Sequence, residues 1–327
     1  MLRTRFAAHV ESSGLLSDAR NVVVACSGGG DSTALLVLLL PFAKKHGITL
    51  VPAHVAHGLR GAAGDQDARF VADLARDLAL PFALRPVNVP EHRAKGESLE
   101  AAARRLRYAS LLSLARELGE GTLETPVATG HTLDDQAETV LLNLLRHAGR
   151  TRGGIRPRRK DGVVRPLLPF TRAELRRALE DEGIPWREDE TNENEKLLRN
   201  RVRRRLLPEL EGRWPGIAAR LSRAADAWTR RLDSVDGRID AALEGAGAPL
   251  GGPFARTLLE RLEPEAMGRL LVRAAGERGR VPGRAQVRRA VERLTRGDSR
   301  FEEAFGGLRL AADPRTVRLR APSATPC

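Results

Sequence analysis

The segment Ser27-Gly28-Gly29-Gly30-Asp31-Ser32 has residue types and a spacing that suit phosphate binding. It follows a short apolar run over residues 22–26 and precedes a leucine-rich stretch of helical length. A strand, a glycine loop and a helix in this order direct backbone N–H groups toward an anion at the helix N-terminus. Consecutive glycines let the backbone approach a phosphate without a Cβ in the way. The segment therefore predicts a phosphate cradle.

Other glycine-rich loops fit this segment less well. A Walker A loop needs a Lys-Ser or Lys-Thr pair, which is missing here, and consecutive glycines do not match Gly-x-Gly-x-x-Gly. A simple turn between strand and helix would explain the glycines. It would not explain why Ser27, Asp31 and Ser32 face the loop.

Two histidines follow the next apolar run, in His54-Val55-Ala56-His57-Gly58-Leu59-Arg60. His-x-x-His can bind zinc, but no further Cys or His cluster lies nearby to complete such a site. We expect the two histidines to line a nucleotide or phosphate pocket instead. Ordinary loop capping is the alternative for His57.

Charged residues share one face of a predicted helix over residues 98–118. Glu100, Arg104 and Tyr108 are spaced i, i+4 and i+8, and Arg107 lies beside them. A salt-bridged surface helix would look the same locally. Alanines at positions 101–103 favour close packing of this helix, which places its charged face toward a cleft.

An acidic segment, Gly130-His131-Thr132-Leu133-Asp134-Asp135-Gln136-Ala137-Glu138, follows the fourth apolar run. Acidic residues also suit the positive end of a helix dipole, which is the simpler explanation. Asp134 and Glu138, spaced i and i+4, repel each other unless a cation bridges them. Mg²⁺ bound to a nucleotide is the natural cation, because carboxylates, water and phosphate oxygens are its ligands.

Positive charge is concentrated between Arg146 and Arg231, where 23 Lys and Arg residues face 13 Asp and Glu residues. Two clusters dominate, residues 150–160 and residues 199–205. A localised basic surface indicates a polyanionic partner, for which nucleic acid is the natural candidate. Solvated helix faces rich in arginine are the alternative. Arg199 and Arg203 share one side of their helix and can grip a phosphate.

The first half of the chain alternates strand-like and helical stretches. Predicted strands span residues 22–26, 49–54, 82–87 and 127–129. Predicted helices span residues 32–45, 65–79, 98–118 and 134–147. Such alternation indicates an α/β fold with a parallel sheet covered on both faces and ligands at the carboxyl ends of the strands. The phosphate, histidine and acidic segments all follow strand ends.

The second half has a different pattern. A capping box at residues 171–174 begins a short helix, an arginine-rich helix over 196–207 ends at Pro208, and residues 217–243 form a long amphipathic helix. Helices near 254–262, 264–275 and 284–296 and strands near 300–305, 308–312 and 316–320 follow. This pattern predicts a smaller, mostly helical C-terminal domain, with domains at residues 1–215 and 216–327.

The positions of the cysteines and the hydropathy of the sequence indicate the cellular compartment of the protein. Cys26 lies in a predicted buried strand and Cys327 at the tail, so no disulfide framework or metal-binding pair is expected. No signal-peptide pattern and no apolar run of membrane-spanning length occur in the sequence. A cytoplasmic protein is therefore the expectation.

Five motifs in chain order resemble those of tRNA(Ile)-lysidine synthetases, which are N-type PP-loop ATP pyrophosphatases. They cover residues 22–208 and read Ser-Gly-Gly-x-Asp-Ser, His-Val-x-His-x-Leu-Arg, Glu-x-x-Ala-Arg-x-x-Arg-Tyr, Gly-His-x-x-Asp-Asp-Gln-Ala-Glu-Thr, and Asp-x-x-Asn with Arg-Asn-x-x-Arg. Two departures stand out: Ala56 replaces a common asparagine, and residues 147–154 are a divergent form of a glycine-rich segment. The length resembles the short form of the family.

The resemblance implies a parallel-sheet, adenine nucleotide α-hydrolase-like domain that uses ATP and Mg²⁺. It implies that the wobble cytidine of an isoleucine tRNA with a CAU anticodon is adenylated, and that L-lysine then displaces AMP to give lysidine. The C-terminal domain would help to bind the tRNA. A homodimer is left open by the resemblance.

The resemblance also implies roles for individual residues. Catalytic roles fall to Asp31, Asp134, Asp135, Arg104 and Arg203. ATP binding falls to Ser27, Gly28, Gly29, Gly30, Asp31, Ser32, His54, His57, Gly130 and His131. The tRNA would be bound by Arg107, Arg199, Arg201, Arg204 and Arg205. Mg²⁺ would be held by Asp31, Asp134 and Glu138.

Three other functions fit the sequence less well. A PP-loop tRNA thiolase would usually need reactive cysteines, which Cys26 and Cys327 do not supply. A PP-loop amidotransferase would need a glutaminase domain or partner. A non-catalytic RNA-binding protein would not need the intact glycine loop and acidic motif.

Overall fold

The computed structural model describes residues 1–58, 62–119, 125–145, 153–188 and 198–321. Several residues singled out in the sequence lie outside these ranges. They are Leu59 and Arg60, Arg150 and Arg152, residues 147–152 of the divergent segment, the Asp-x-x-Asn motif at residues 189–192, and Cys327.

The chain divides into two compact units, Met1–Asp226 and Ala227–Cys327. The first contains a five-stranded sheet with the order β3-β2-β1-β4-β5, in which every neighbouring pair is parallel. The strands are β1 (Asn21–Ala25), β2 (Thr49–Ala56), β3 (Ala83–Pro86), β4 (Val127–Ala128) and β5 (Val163–Val164). The order reverses between β1 and β4, and such a switch point opens a crevice at the strand ends.

Helices follow the strands, as the alternating pattern predicts. Those of the first unit are α1 (Leu2–Ser13), α2 (Gly30–His46), α3 (Ala62–Asp77), α4 (Leu99–Leu118), α5 (Leu133–Leu145), α6 (Arg172–Asp181), α7 (Leu198–Arg201) and α8 (Leu207–Arg213). A longer helix, α9 (Ile217–Gly245), begins in this unit. The predicted α/β fold is confirmed. Helix α1 and strand β5 were not predicted.

Strand β1 shows why the sheet is covered on both faces. Val22 and Val24 pack with the core that includes α1, α2 and α6, whereas Val23 packs with α4 on the opposite face. Successive strand residues point to opposite faces, so three consecutive buried valines need an apolar layer on each side.

Pro208 does not end the arginine-rich helix, contrary to the sequence-based prediction. Residues Val202–Leu206 form a widened π-helical turn, in which the N–H of Leu207 donates to the carbonyl of Val202. Pro208 then lies in the first turn of α8, where a missing N–H breaks no bond within that helix. The helical path therefore continues to Arg213.

The first turns of α9 belong to the core of the first unit. Ala218 and Leu221 pack against a cluster that includes Val202 and Leu207, and Ala225 is fully buried. The division between the units accordingly falls inside α9, later than the predicted boundary after residue 215.

The second unit combines helices with an antiparallel sheet of order β6-β9-β8-β7. Its remaining elements are β6 (Phe254–Ala255), α10 (Arg256–Glu260), α11 (Pro264–Gly276), α12 (Arg284–Thr295), β7 (Phe301–Phe305), β8 (Leu308–Ala312) and β9 (Thr316–Arg320). Its core joins Phe254 and Phe305 to the buried face of α11. Helix outweighs strand, as predicted.

Within the described ranges, every helix is too short or too polar to cross a lipid bilayer.

Candidate functional site

The glycine loop joins β1 to α2 and is fixed by its own serine. Ser32 Oγ donates to the carbonyl of Gly29 at 2.9 Å and accepts from the N–H of Ser27 at 3.2 Å. Gly28 has a φ of +87°, a left-handed conformation that favours glycine. The loop therefore presents its backbone at the N-terminus of α2, where Asp31 lies in the first turn. This is the geometry of an anion cradle.

A segment far along the chain packs against this loop. The N–H of Arg187 donates to the carbonyl of Gly28 at 2.9 Å. A Cβ on Gly30 would lie 3.4 Å from Trp186 Cδ1, so the indole fills the space that the glycine leaves. The side chain of Arg187 is anchored by Asp67 and Gln66. Sequence reasoning missed these residues, because nothing local links them to the loop.

The loop after β4 touches the loop after β1. A Cβ on Gly130 would lie 3.0 Å from the backbone oxygen of Asp31. Only glycine permits this approach, so Gly130 has a packing reason for its identity. The two predicted motifs therefore meet where the sheet order reverses.

A cleft of about 630 Å³ opens at these strand ends, a volume in the usual range for ligand sites. Most of the predicted site residues line it. They are Ser27, Gly29, Asp31, Ser32, His54, His57, Arg104, Arg107, Gly130, His131, Asp135, Arg199 and Arg203. The lining does not include Gly28, Gly30, Asp134, Glu138, Arg201, Arg204 or Arg205.

Two acidic residues of α5 are paired with arginines from the helical segment after residue 198. Glu138 is fully buried, and its carboxylate accepts from Arg203 Nε at 2.6 Å and Arg199 Nε at 3.1 Å. Asp135 Oδ1 accepts from Nη2 of the same two arginines at 3.0 and 3.1 Å. The carboxylates thus orient both guanidiniums in the cleft.

Arg172, the first residue of α6, connects the four acidic residues that the sequence predicts for the site. Its Nε donates to Asp31 Oδ2 at 3.1 Å, and its other nitrogens lie 3.5 Å from Asp135 and 3.7 Å from Glu138. Its backbone N–H donates to Asp134 Oδ2 at 2.8 Å. Sequence reasoning missed Arg172, although it lies inside the predicted capping box, which is confirmed.

The electrostatics follow from these pairs. Burial alone would raise the pKa of Asp135, but Arg172, His131, the Thr132 N–H and Arg199 outweigh it and lower that pKa to about 2. Burial raises the pKa of Asp31, and Arg172 offsets only part of that rise. Asp135 is therefore a fixed negative charge, whereas Asp31 carries a charge that burial disfavours.

The residues fit a magnesium ion in part. Asp31 Oδ1 is buried and has no hydrogen-bond partner in the described residues, so it is the oxygen left to bind a cation. Glu138, a predicted ligand, has its oxygens occupied by arginines, and Asp134 holds the start of α6. The described ranges contain no cluster of three or more His, Cys, Asp or Glu suited to a metal. An ion bridging Asp31 and substrate phosphates needs no such cluster.

The histidines lie at the strand ends as expected. His54 is buried, with Nδ1 3.0 Å from the carbonyl of Cys26. His131 Nδ1 lies 2.9 Å from Thr129 Oγ1. Burial lowers the pKa of His131 to about 3, with Arg165 and Arg104 adding to the effect, so this imidazole is neutral near pH 7. His57 lines the cleft.

The arginines of the 199–205 cluster divide between two surfaces. Arg199 and Arg203 face the acidic residues of α5, whereas Arg201, Arg204 and Arg205 are exposed. Exposed guanidiniums of this kind can contact a polyanion.

Comparison with known proteins identifies relatives. The PP-loop domain family matches residues 2–210. A tRNA(Ile)-lysidine synthase of Solibacter usitatus is 36% identical over 316 residues, covering 94% of this chain and 69% of the relative. The enzyme of the same name from Thermus thermophilus is 41% identical over 290 residues, covering 82% of this chain and 55% of the relative. The chain thus spans about half to two thirds of these relatives.

A solved structure supports the fold alone. The U34-tRNA thiolase NcsA from Methanococcus maripaludis, with its [4Fe-4S] cluster, superposes with a TM-score of 0.54. It is 16% identical in sequence, and the match covers 68% of this chain and 77% of that chain.

Proposed function

Because this chain belongs to the PP-loop domain family and, within it, to the tRNA(Ile)-lysidine synthases, we propose that it joins L-lysine to C2 of the wobble cytidine in an isoleucine tRNA with a CAU anticodon. The observation that supports this best is that a phosphate cradle and an arginine–carboxylate network line one cleft. The proposed reaction has three substrates: a nucleoside triphosphate, a tRNA, which is a polyanion, and lysine, which supplies the amine.

The first step would be adenylation of the base. The cytidine C2 oxygen attacks the α-phosphorus of ATP, a P–O bond forms, and the bond to pyrophosphate breaks. The glycines at the start of α2 would hold the phosphates with their backbone N–H groups, since the N–H of Ser27 is engaged by Ser32 Oγ. Mg²⁺, held by Asp31 Oδ1, would neutralise charge on the leaving pyrophosphate.

The second step would replace AMP by lysine. The deprotonated ε-amine attacks C2, the C2–O bond breaks, and AMP leaves with the oxygen. Arg104 and Arg203 would stabilise the phosphate of the adenylated base, since guanidiniums pair well with phosphate oxygens. Asp135 lines the cleft and is the better partner for the lysine ammonium, whereas Asp134 ties α6 to α5.

Sulfur transfer is a poor alternative. Cys26 is buried, and burial raises the pKa of its thiol to about 12, so it remains an unreactive thiol near pH 7.

A homodimer and a cytoplasmic location stay predictions. Light scattering tests whether the protein is a homodimer.

Mass spectrometry of an isoleucine tRNA transcript tests the proposal. After incubation of the full chain with ATP and lysine, the anticodon fragment should gain the mass of one lysine residue. Omitting lysine should leave an adenylated fragment and released pyrophosphate. A transcript with an unmodified anticodon in the complete mixture would contradict the proposal.

A further inference from the structure

Four arginines surround Tyr108 at one side of the first unit. The guanidinium carbons of Arg104 and Arg107, both on α4, lie 5.3 Å from the centroid of the phenol ring. That of Arg159 lies 4.7 Å from it. Arg165, just after β5, is 4% exposed and acts electrostatically on the same tyrosine. We call these five residues the Tyr108 cluster.

The positive charge of the Tyr108 cluster is poorly compensated. Among the described residues, only Arg159 pairs with a carboxylate, that of Asp161. Arg165 donates from Nη1 to the carbonyl of Arg156, while its buried Nε has no hydrogen-bond partner within the described ranges. A buried guanidinium without a carboxylate partner is costly, which makes an anion a favourable ligand for this cluster.

The ionisation behaviour agrees with this surplus of positive charge. Burial lowers the pKa of Arg165 and of Arg104, and neighbouring arginines contribute to both shifts. Burial would raise the pKa of the Tyr108 phenol, but Arg104, Arg107 and Arg165 outweigh it and lower that pKa. The pKa shifts of Arg104, Arg165 and Tyr108 thus all reflect the positive charge of neighbouring arginines.

We propose that the Tyr108 cluster is a second phosphate-binding site, separate from the glycine loop. Arg104 and Arg107 line the cleft, so the anion would enter from there. Guanidiniums bind phosphate oxygens through paired N–H donors, and Arg165 would add positive charge from its buried position. The inference rests on the proposed function, under which the phosphate belongs either to the tRNA backbone or to released pyrophosphate.

Arg165→Met separates a binding role from a structural one. Methionine keeps an unbranched apolar side chain in the same space and removes the uncompensated charge. The melting temperature of the ligand-free protein should therefore stay the same or rise. The matched control is Arg85→Met, since Arg85 pairs with Glu117 and takes no part in the cluster, the cleft lining or the basic segments 150–160 and 199–205.

Two binding measurements on the full chain identify the source of the phosphate. If the site takes a tRNA phosphate, Arg165→Met should weaken tRNA binding roughly tenfold and reduce its salt slope by about 0.7–0.9, with pyrophosphate affinity unchanged. If it takes pyrophosphate, the affinity for inorganic pyrophosphate should fall roughly tenfold and tRNA affinity should not. Either result supports the site, provided that Arg85→Met changes neither affinity.

The inference is overturned if both affinities survive Arg165→Met, or if that variant only lowers the melting temperature. Arg107→Ala, at a half-buried cleft position, covers the case in which Arg165→Met does not fold. It should reproduce the same loss of affinity, and unchanged binding there would also reject the site. Pyrophosphate titration needs no tRNA, so it tests the site even if the proposed function fails.

Discussion

Asp31 Oδ1 and Oδ2 have different surroundings, which gives this residue a role that its neighbours cannot take over. Oδ2 accepts from Arg172, and Oδ1 is buried without a partner in the described residues. By contrast, Glu138 has both oxygens engaged by guanidiniums, and Asp135 has Oδ1 engaged by guanidiniums and Oδ2 by Thr132. A cation that accompanies ATP therefore has one carboxylate oxygen ready to receive it.

Asp31→Asn should abolish adenylation while the protein remains folded. The amide keeps the size of the side chain but removes the negative charge that a cation needs. Pyrophosphate release in the presence of ATP and tRNA should fall at least a hundredfold, on the order of what removing one electrostatic interaction from a transition state costs. Release at the wild-type rate would remove Asp31 from the mechanism. The exposed Asp73→Asn serves as the control.

His131 should make stability depend on pH. Its pKa is lowered from 6.5 to about 3, so the unfolded chain binds a proton at a higher pH than the folded chain does. The contribution is present above pH 6.5 and is lost as the pH falls toward 3. Urea unfolding of the wild type should lose up to about 1.4 kcal/mol per pH unit more than His131→Gln between pH 6 and 4. Equal slopes would show that His131 is protonated in the folded state.

Residue types in local motifs were predictable, but their pairing was not. The sequence placed Asp31, His131 and Asp135 in a common site, and the structure brings them to one cleft. It gave no sign that Glu138 would be neutralised by Arg199 and Arg203, because those partners lie 61 and 65 residues away. Spacing encodes neighbours on one helix, whereas these pairs depend on how helices pack.

At the scale of elements, the contact between the two strand-end loops constrains the site most. Gly130→Ala should impair ATP binding, because the new Cβ would lie 3.0 Å from a backbone oxygen that cannot move without displacing the start of α2. Gly212→Ala is the matched control, since nothing lies within 4 Å of a Cβ at that helical position. The control should gain about 0.5–1 kcal/mol of stability. Equal ATP affinity in both variants, measured by calorimetry, would contradict the packing argument.

The exposed arginines of the 199–205 cluster belong to one helical segment. Replacing Arg201, Arg204 and Arg205 with Ala should weaken tRNA binding and flatten its salt dependence, by roughly 0.7–0.9 in slope for each phosphate that is no longer neutralised. ATP affinity should barely change, because these side chains lie outside the cleft lining. Arg76→Ala, an exposed change on α3, is the control. An unchanged salt slope in the triple variant would show that these arginines do not contact tRNA phosphates.

At the scale of the whole molecule, the position of the unit boundary decides where the chain can be cut. A fragment of residues 1–226 keeps Leu221 and Ala225 in the first core, whereas residues 1–214 lose them. The shorter fragment should be less stable by about 2–4 kcal/mol, as for the loss of one or two buried aliphatic side chains. Circular dichroism during urea unfolding provides the comparison.

The longer fragment should bind tRNA more weakly than the full chain. We expect the second unit to supply another contact with a long substrate, and two tethered contacts raise affinity through effective concentration. Equal affinity for the fragment 1–226 and the full chain would assign tRNA binding to the first unit alone.

The strands and hairpins were more predictable from the sequence than the points at which helices begin or continue. Strands β1, β2 and β4 and the hairpins β7 to β9 fall where alternating apolar runs place them. Helix α1 was missed because it buries only Phe6 and Val10 and begins without a capping side chain or an acidic residue in its first turn. The continuation of the helix past Pro208 was missed because proline has no N–H to donate to a carbonyl of the preceding turn and usually ends a helix. The widened turn that avoids this break leaves no mark in the sequence.

That widened turn at Val202–Leu206 amounts to one extra residue held inside a helical rod. Arg199 ahead of the turn and Arg203 within it face the acidic residues of α5, whereas Leu207 after the turn packs in an apolar cluster. Deleting one residue there would rotate one stretch by about 100° against the other, so charges or leucines would face the wrong side. The phase of the side chains is thus fixed by the arginine–carboxylate pairs and by the apolar cluster after the turn, so insertion of a single residue should disrupt one of the two.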